Sequence, residues 1–233
     1  MSAETNRLQA GDASRVIRIP TGSVSLDGEF IVPPNAEGLV IFAHASSRRS
    51  QRNPELARLL HKAGLGTLLL ELLTPEECAE EKLGSHHSSN MGLLTQRLAC
   101  AAHWVADEDE ARNLRIGFFG SGTGAGGALV AAADLGKSIG AVVTRGGRPD
   151  LAGNALRRVR SPARLIAGEF DKDALNLSED AYEMLAVEKD FEIVSGATQD
   201  FEEAGALEEV ARLASEWFLE HLRPFSSTRF VRA

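Results

Sequence analysis

Short apolar runs alternate with amphipathic stretches from residue 39 onward, and this alternation confines the chain to few folds. Residues 39–43 (LVIFA) are an unbroken apolar run, the pattern of a strand covered on both faces. Residues 54–63 place apolar side chains at helical spacing, with Pro54 at the start and Gly64 just past the end. The order then repeats. Strands are predicted over 67–70, 116–119, 141–144, 163–167 and 191–194, and helices over 91–107, 124–135, 177–184 and 207–222. Leu93, Leu94, Leu98, Ala101, Ala102 and Val105 form the apolar stripe of the helix over 91–107. Two earlier runs, 16–19 and 29–32, flank a hairpin-like turn region holding Thr21, Gly22, Asp27 and Gly28; Pro33, Pro34 and Asn35 close it. Strands alternating with helices require parallel neighbours joined by crossovers. The expected organisation is one α/β domain over 16–223 with an antiparallel start and a mostly parallel sheet. A loose arm over 1–15 precedes it and a tail over 224–233 follows.

Composition excludes several classes of function. A formal charge of -8, from 33 acidic and 25 basic side chains, argues against nucleic acid as a partner, because phosphate binding needs a basic footprint. With 43% hydrophobic and 25% charged residues, whole-chain disorder is excluded. No apolar run approaches the roughly 18 residues that span a bilayer, so no membrane association is expected. Cys78 and Cys100 are too few for a disulfide framework or a four-cysteine zinc site. The N-terminal stretch lacks the apolar core of a signal peptide, and the expectation is a reducing cytoplasm. No metal or cofactor is expected. A small-molecule ligand is compatible with the sequence; a protein partner and the oligomeric state are left open.

The most informative stretch runs from a strand through a glycine-rich turn into a helix: Gly120-Ser121-Gly122-Thr123-Gly124-Ala125-Gly126-Gly127. Three readings compete. As a nucleophile elbow, Gly-x-Ser-x-Gly, the frame has both flanking glycines, but its centre is Gly122, which has no oxygen to attack with. As a dinucleotide fingerprint, residues 122–127 match Gly-x-Gly-x-x-Gly, yet several strands precede the motif and the next strand ends in Thr144-Arg145 in place of an acid. The third reading is a turn whose glycines serve packing alone.

Other segments favour the first reading. Residues 40–47 (VIFAHASS), 68–77 (LLLELLTPEE), 144–152 (TRGGRPDLA), 165–171 (LIAGEFD) and 194–201 (VSGATQDF) stand in the order of a known architecture. Together they resemble the dienelactone hydrolase-like members of the α/β-hydrolase superfamily over about residues 31–222. The resemblance implies an α/β-hydrolase fold with a Ser-His-acid site and an oxyanion turn after the strand over 39–43. Carried over residue by residue, most of that chemistry fails. The nucleophile position is Gly122, the histidine position is Gln199, and the acid position alone keeps its type, as Asp171. His44-Ala45 stands where the family has His-Gly, and Ala45 is expected to disturb a turn that favours positive φ. A glutamine amide cannot take up a proton near neutral pH. The resemblance therefore implies a pseudoenzyme that keeps a ligand pocket or an interaction role. The rival is an active carboxylic ester or lactone hydrolase with Ser121 as a relocated nucleophile. A weaker alternative is a nucleotide-binding module built on the glycine turn.

Around this frame, Thr123 is expected to cap the following helix or order the turn. His44 ends a strand near the presumptive site and reads as a backbone-bonded histidine more readily than as a base. His86 and His87 lie in a polar stretch read as a solvated loop. Arg48, Arg49, Arg52, Arg145 and Arg148 follow strands whose carboxyl ends face one crevice, and they are candidates for holding an anion there.

Overall fold

The computed structural model describes residues 14–45 and 52–223. Arg48, Arg49, the tail over 224–233 and most of the N-terminal arm lie outside the described residues. Among the described residues eight strands form one sheet: β1 (Arg15–Thr21), β2 (Val24–Ile31), β3 (Leu39–His44), β4 (Gly66–Glu71), β5 (Ile116–Ser121), β6 (Ile139–Arg145), β7 (Ala163–Gly168) and β8 (Lys189–Val194). Their order is β1-β2-β4-β3-β5-β6-β7-β8. β1, β2 and β4 pair antiparallel; from β4 to β8 every neighbour is parallel.

The hairpin is tighter than the sequence suggests. Thr21 pairs with Val24 across a two-residue turn, and Gly22 supplies the positive φ of 80°. Asp27 and Gly28, expected in the turn, lie inside β2. Gly28 stays a glycine because a Cβ would stand 2.9 Å from the Leu69 carbonyl on β4. Arg15, assigned to the arm, already belongs to β1: its guanidinium lies 5.2 Å from the Phe30 ring centre and pairs with Glu108.

The described residues include six α-helices, α1 (Arg52–Lys62), α2 (Pro75–Glu81), α3 (Met91–Asp107), α4 (Thr123–Leu135), α5 (Lys172–Met184) and α6 (Ala206–Leu222), and all but α2 pack on the sheet. One buried cluster joins Ile41, Leu68 and Phe118 of the sheet to Leu94 and Leu98 of α3, Leu129 of α4 and Ala181 of α5. The other joins Val40, Phe42, Phe119 and Val143 to Leu56 and Leu60 of α1 and to Val210 and Phe218 of α6. The alternating sides of successive strand residues separate the two clusters.

Helix α2 falls in a stretch for which the sequence predicts no regular element. Thr74 is its N-cap and forms a reciprocal capping box with Glu77, with Pro75 in the first turn. Glu77 also takes a forked pair of bonds, 2.6 and 2.7 Å, from the buried guanidinium of Arg97 on α3, which donates a third bond to the Leu72 carbonyl. His87 Nε2 lies 2.8 Å from Glu80 on α2, within a stretch that stays largely exposed.

Candidate functional site

The carboxyl ends of β3, β5 and β6 bring His44, Ser121 and Arg145 to one edge of the sheet, and a cavity of about 1010 Å³ opens there. Gly122, Thr123, Ala45 and Gln199 join them in its lining. The glycine turn sits at its floor.

Gly122 is the N-cap of α4, with φ 58° and ψ -134°. That backbone region is essentially reserved for glycine unless surroundings enforce it. The surroundings do enforce it: the Gly122 carbonyl accepts from Arg148 N–H at 3.0 Å and from Ala125 N–H at 3.3 Å. Gly147, at φ 81°, backs onto the Gly122 backbone so closely that a Cβ on Gly147 would overlap it. A Cβ on Gly122 itself would meet nothing within 4 Å. The turn thus has the sharp strand-to-helix geometry that presents a side chain to the cavity, and no side chain is there.

The flanking glycines have packing reasons. A Cβ on Gly120 would lie 2.7 Å from Ala125 Cα, and one on Gly124 would overlap the Ala43 carbonyl oxygen. Gly126 and Gly127 face α3 and the segment after β6, with added methyls 2.9 Å from the Arg148 carbonyl and 3.1 Å from Leu94 Cβ. Of the Gly-x-Gly-x-x-Gly spacing, Gly124 and Gly127 are accounted for by a helix pressed against its neighbours and Gly122 by its positive φ.

Ser121, the last residue of β5, is 8% exposed and pairs in register with Arg145. Thr123 does not cap α4, because the cap position belongs to Gly122. Its hydroxyl reaches the Ala45 carbonyl at 3.4 Å and ties the elbow to the end of the β3 segment. Ala45 is buried, and among the described non-glycine residues only Asn35 and Phe201 have positive φ. Ala45 itself has no positive φ and its methyl packs into the core, while the turn it is expected to disturb, over 46–51, lies outside the described residues.

Asp171 is the N-cap of α5, and its carboxylate accepts from Ala174 N–H at 3.1 Å. A methyl on Gly146 would stand 3.9 Å from Asp171 Oδ2, so the acid lies beside the loop that supports the elbow. Gln199 is exposed on the turn after β8. Arg148 is exposed and pairs with Asp150, which removes it from the anion candidates, and Arg52 pairs with Glu202.

Arg145 is different in kind. Its Nη1 is buried without a hydrogen-bond partner among the described residues, and its guanidinium lies 5.9 Å from the Phe119 ring centre and 5.7 Å from that of Phe201. Burial, aided by the nearby charge of Arg52 and opposed by Asp200, pushes its pKa down to about 10. Phe201, 2% exposed and at φ 52°, is the site residue that sequence reasoning misses; a bulky residue in the left-handed region carries no local sequence signal.

Fold and turn together define an α/β-hydrolase-fold protein. A crystal structure of dienelactone hydrolase from Anabaena variabilis superposes with a TM-score of 0.88 at 43% identity, covering 91% of this chain and 100% of that one. The chain belongs to the dienelactone hydrolase-like family. A dienelactone hydrolase-like promiscuous phosphotriesterase from metagenomic libraries shares the fold at TM-score 0.73 and 17% identity, over 91% of this chain and 100% of that one. Proteins from two strains of Mycobacterium tuberculosis, whose name proposes a phosphoribosyl transferase, are 43% identical over 208 residues. That match takes in 88% of this chain but 46% of theirs, so the chain spans about half the length of these curated relatives. No family model matches the chain. Among the described residues no helix is long and apolar enough to cross a membrane.

Proposed function

We propose that this protein is a dienelactone hydrolase-like pseudoenzyme: it keeps the pocket of an ester or lactone hydrolase and lacks its nucleophile and base. The observation that carries the reading is Gly122. It holds an elbow conformation with free space ahead of its missing side chain, and nothing at that point can attack a carbonyl. Acyl transfer needs an oxygen or sulfur nucleophile, a base within hydrogen-bond reach and an acid to orient that base. Asp171 supplies the last of these, but Gln199 stands where the imidazole would be. An orienting acid without a base has no proton to manage. The transferase name belongs to proteins about twice as long as the segment matched here, and this site does not require that activity.

A specific observation favours one rival. Ser121 lines the same cavity as Gly122. If it were a relocated nucleophile, the protein would hydrolyse activated esters. The test is turnover of p-nitrophenyl acetate together with fluorophosphonate labelling. The native protein is expected to show neither. The double variant Gly122→Ser with Gln199→His is expected to acquire both. Native turnover abolished by Ser121→Ala would establish the rival, and a folded double variant with no gain would overturn the assignment of the two positions.

A further inference from the structure

The guanidinium of Arg145 packs against two aromatic rings and still leaves a buried donor unused among the described residues. It sits at the end of β6, beside the elbow, and lines the same cavity floor as Gly122, Thr123 and His44. Two aromatic rings, Phe119 and Phe201, hold it in place, yet its buried Nη1 has no acceptor among the described residues. A buried guanidinium donor without an acceptor is costly unless something else supplies one. Arg52 also lines the cavity but is paired with Glu202, so it offers no uncommitted charge beside Arg145. The first turn of α4 opens at the same point; its leading N–H groups lack intrahelical acceptors and carry the positive end of the helix dipole. The missing side chain at Gly122 leaves that helix end uncovered.

The rim has the opposite sign. Of the carboxylates that line the cavity, Glu55, Asp200, Glu202 and Glu208 are exposed to solvent. A ligand with negative charge at both ends would meet these carboxylates on entry.

We propose that the cavity floor seats a compact oxyanion, a carboxylate or a phosphate monoester, on a ligand whose remainder is neutral or cationic. This rests on the non-hydrolytic reading of the elbow, since the oxyanion occupies the space into which a nucleophile would project. Arg145 offers a planar fork to two oxygens, and the α4 N-terminus offers backbone donors to the others. The acidic rim selects for the charge of the far end.

Calorimetric titration of the whole chain with four probes tests this: inorganic phosphate, phosphoethanolamine, 4-aminobutyrate and succinate. Saturable binding of phosphoethanolamine or 4-aminobutyrate is expected, and the tighter of the two identifies the head group. Succinate is expected to bind at least tenfold more weakly than 4-aminobutyrate, because only its far end differs in sign. Arg145→Gln is expected to weaken binding at least tenfold, and Arg145→Lys, which keeps the charge and the stem, several-fold. If Arg145→Gln does not fold, the Lys variant carries the comparison. Absence of binding by the native protein, or equal affinity in the Arg145 variants, would overturn the oxyanion seat. Succinate binding as tightly as 4-aminobutyrate would overturn the selection by the rim. Fluorophosphonate labelling of a native protein that still binds the probes would instead strike the non-hydrolytic reading alone.

Discussion

At Gly124 a single methyl group has nowhere to go, because the Ala43 carbonyl occupies its place. At Gly122, two residues earlier, a methyl would enter open space and meet only the cost of its backbone angles. The two substitutions separate packing from conformation. Gly124→Ala is expected to cost about 3 kcal/mol, at the upper end of overpacking. Gly122→Ala is expected to cost about 1–2 kcal/mol from strain alone. Urea unfolding curves for both variants measure the difference, and equal losses would contradict this division. The residues at Gly122, Gln199 and Asp171 are legible in the sequence because their type and order survive in a recognisable frame. The isolation of Arg145 is not legible. A sequence shows that an arginine follows a strand; it does not show that Phe201, with a left-handed backbone, closes over it and that its Nη1 finds no acceptor among the described residues.

Helix α6 docks on the sheet through a lane of glycines. A Cβ on Gly38 or on Gly140 of β6 would stand 2.6 Å from the side chain of Leu222, and one on Gly117 of β5 would stand 2.7 Å from the Phe218 ring. Phe218 and Leu222 are four residues apart and share one face of the helix. Large side chains on the helix thus fill space that the strands leave empty. Leu222→Ala is expected to cost about 3–5 kcal/mol, because rigid strand backbone cannot collapse into the hole; thermal unfolding followed by circular dichroism reads it. A loss under 1 kcal/mol would mean that α6 is held elsewhere. The helix itself is plain from its apolar spacing, and so are the parallel strands. The glycine lane is not, since contacts between distant segments leave no local periodicity. Helix α2 is a different case. Thr74-Pro75-Glu76-Glu77 is a legible start signal, obscured because the seven-residue helix that follows buries none of its side chains and so has no apolar stripe.

For the molecule as a whole, the forked Glu77–Arg97 pair joins the segment after β4 to the long helix α3, and it gives stability a definite acid limb. The bonds from Arg97, with a backbone bond from Thr74, hold the Glu77 carboxyl below the usual glutamate range against the opposing effect of burial. A carboxyl with a lowered folded-state pKa contributes stability that is complete above the unfolded value of about 4.3 and is lost as pH falls through the folded value. Glu77→Gln is therefore expected to reduce stability at pH 7 by about 3 kcal/mol and to flatten its decline below pH ~4; urea midpoints between pH 3 and pH 7 report both. An unchanged acid slope would place the titrating group elsewhere. The sheet order, with β4 outside β3, is likewise a property of the whole, because strand succession alone does not state which edge a crossover takes. One consequence of the emptied elbow also belongs at this scale. A bend that would be kept taut to hold a reactive oxygen is here built from the residue that bears it with least tension, while its hydrogen bonds and close-fitting neighbours are retained. On the proposed non-hydrolytic reading, the architecture keeps its resilience without that chemistry, which leaves such a chain free to be selected for what it holds rather than for what it cuts.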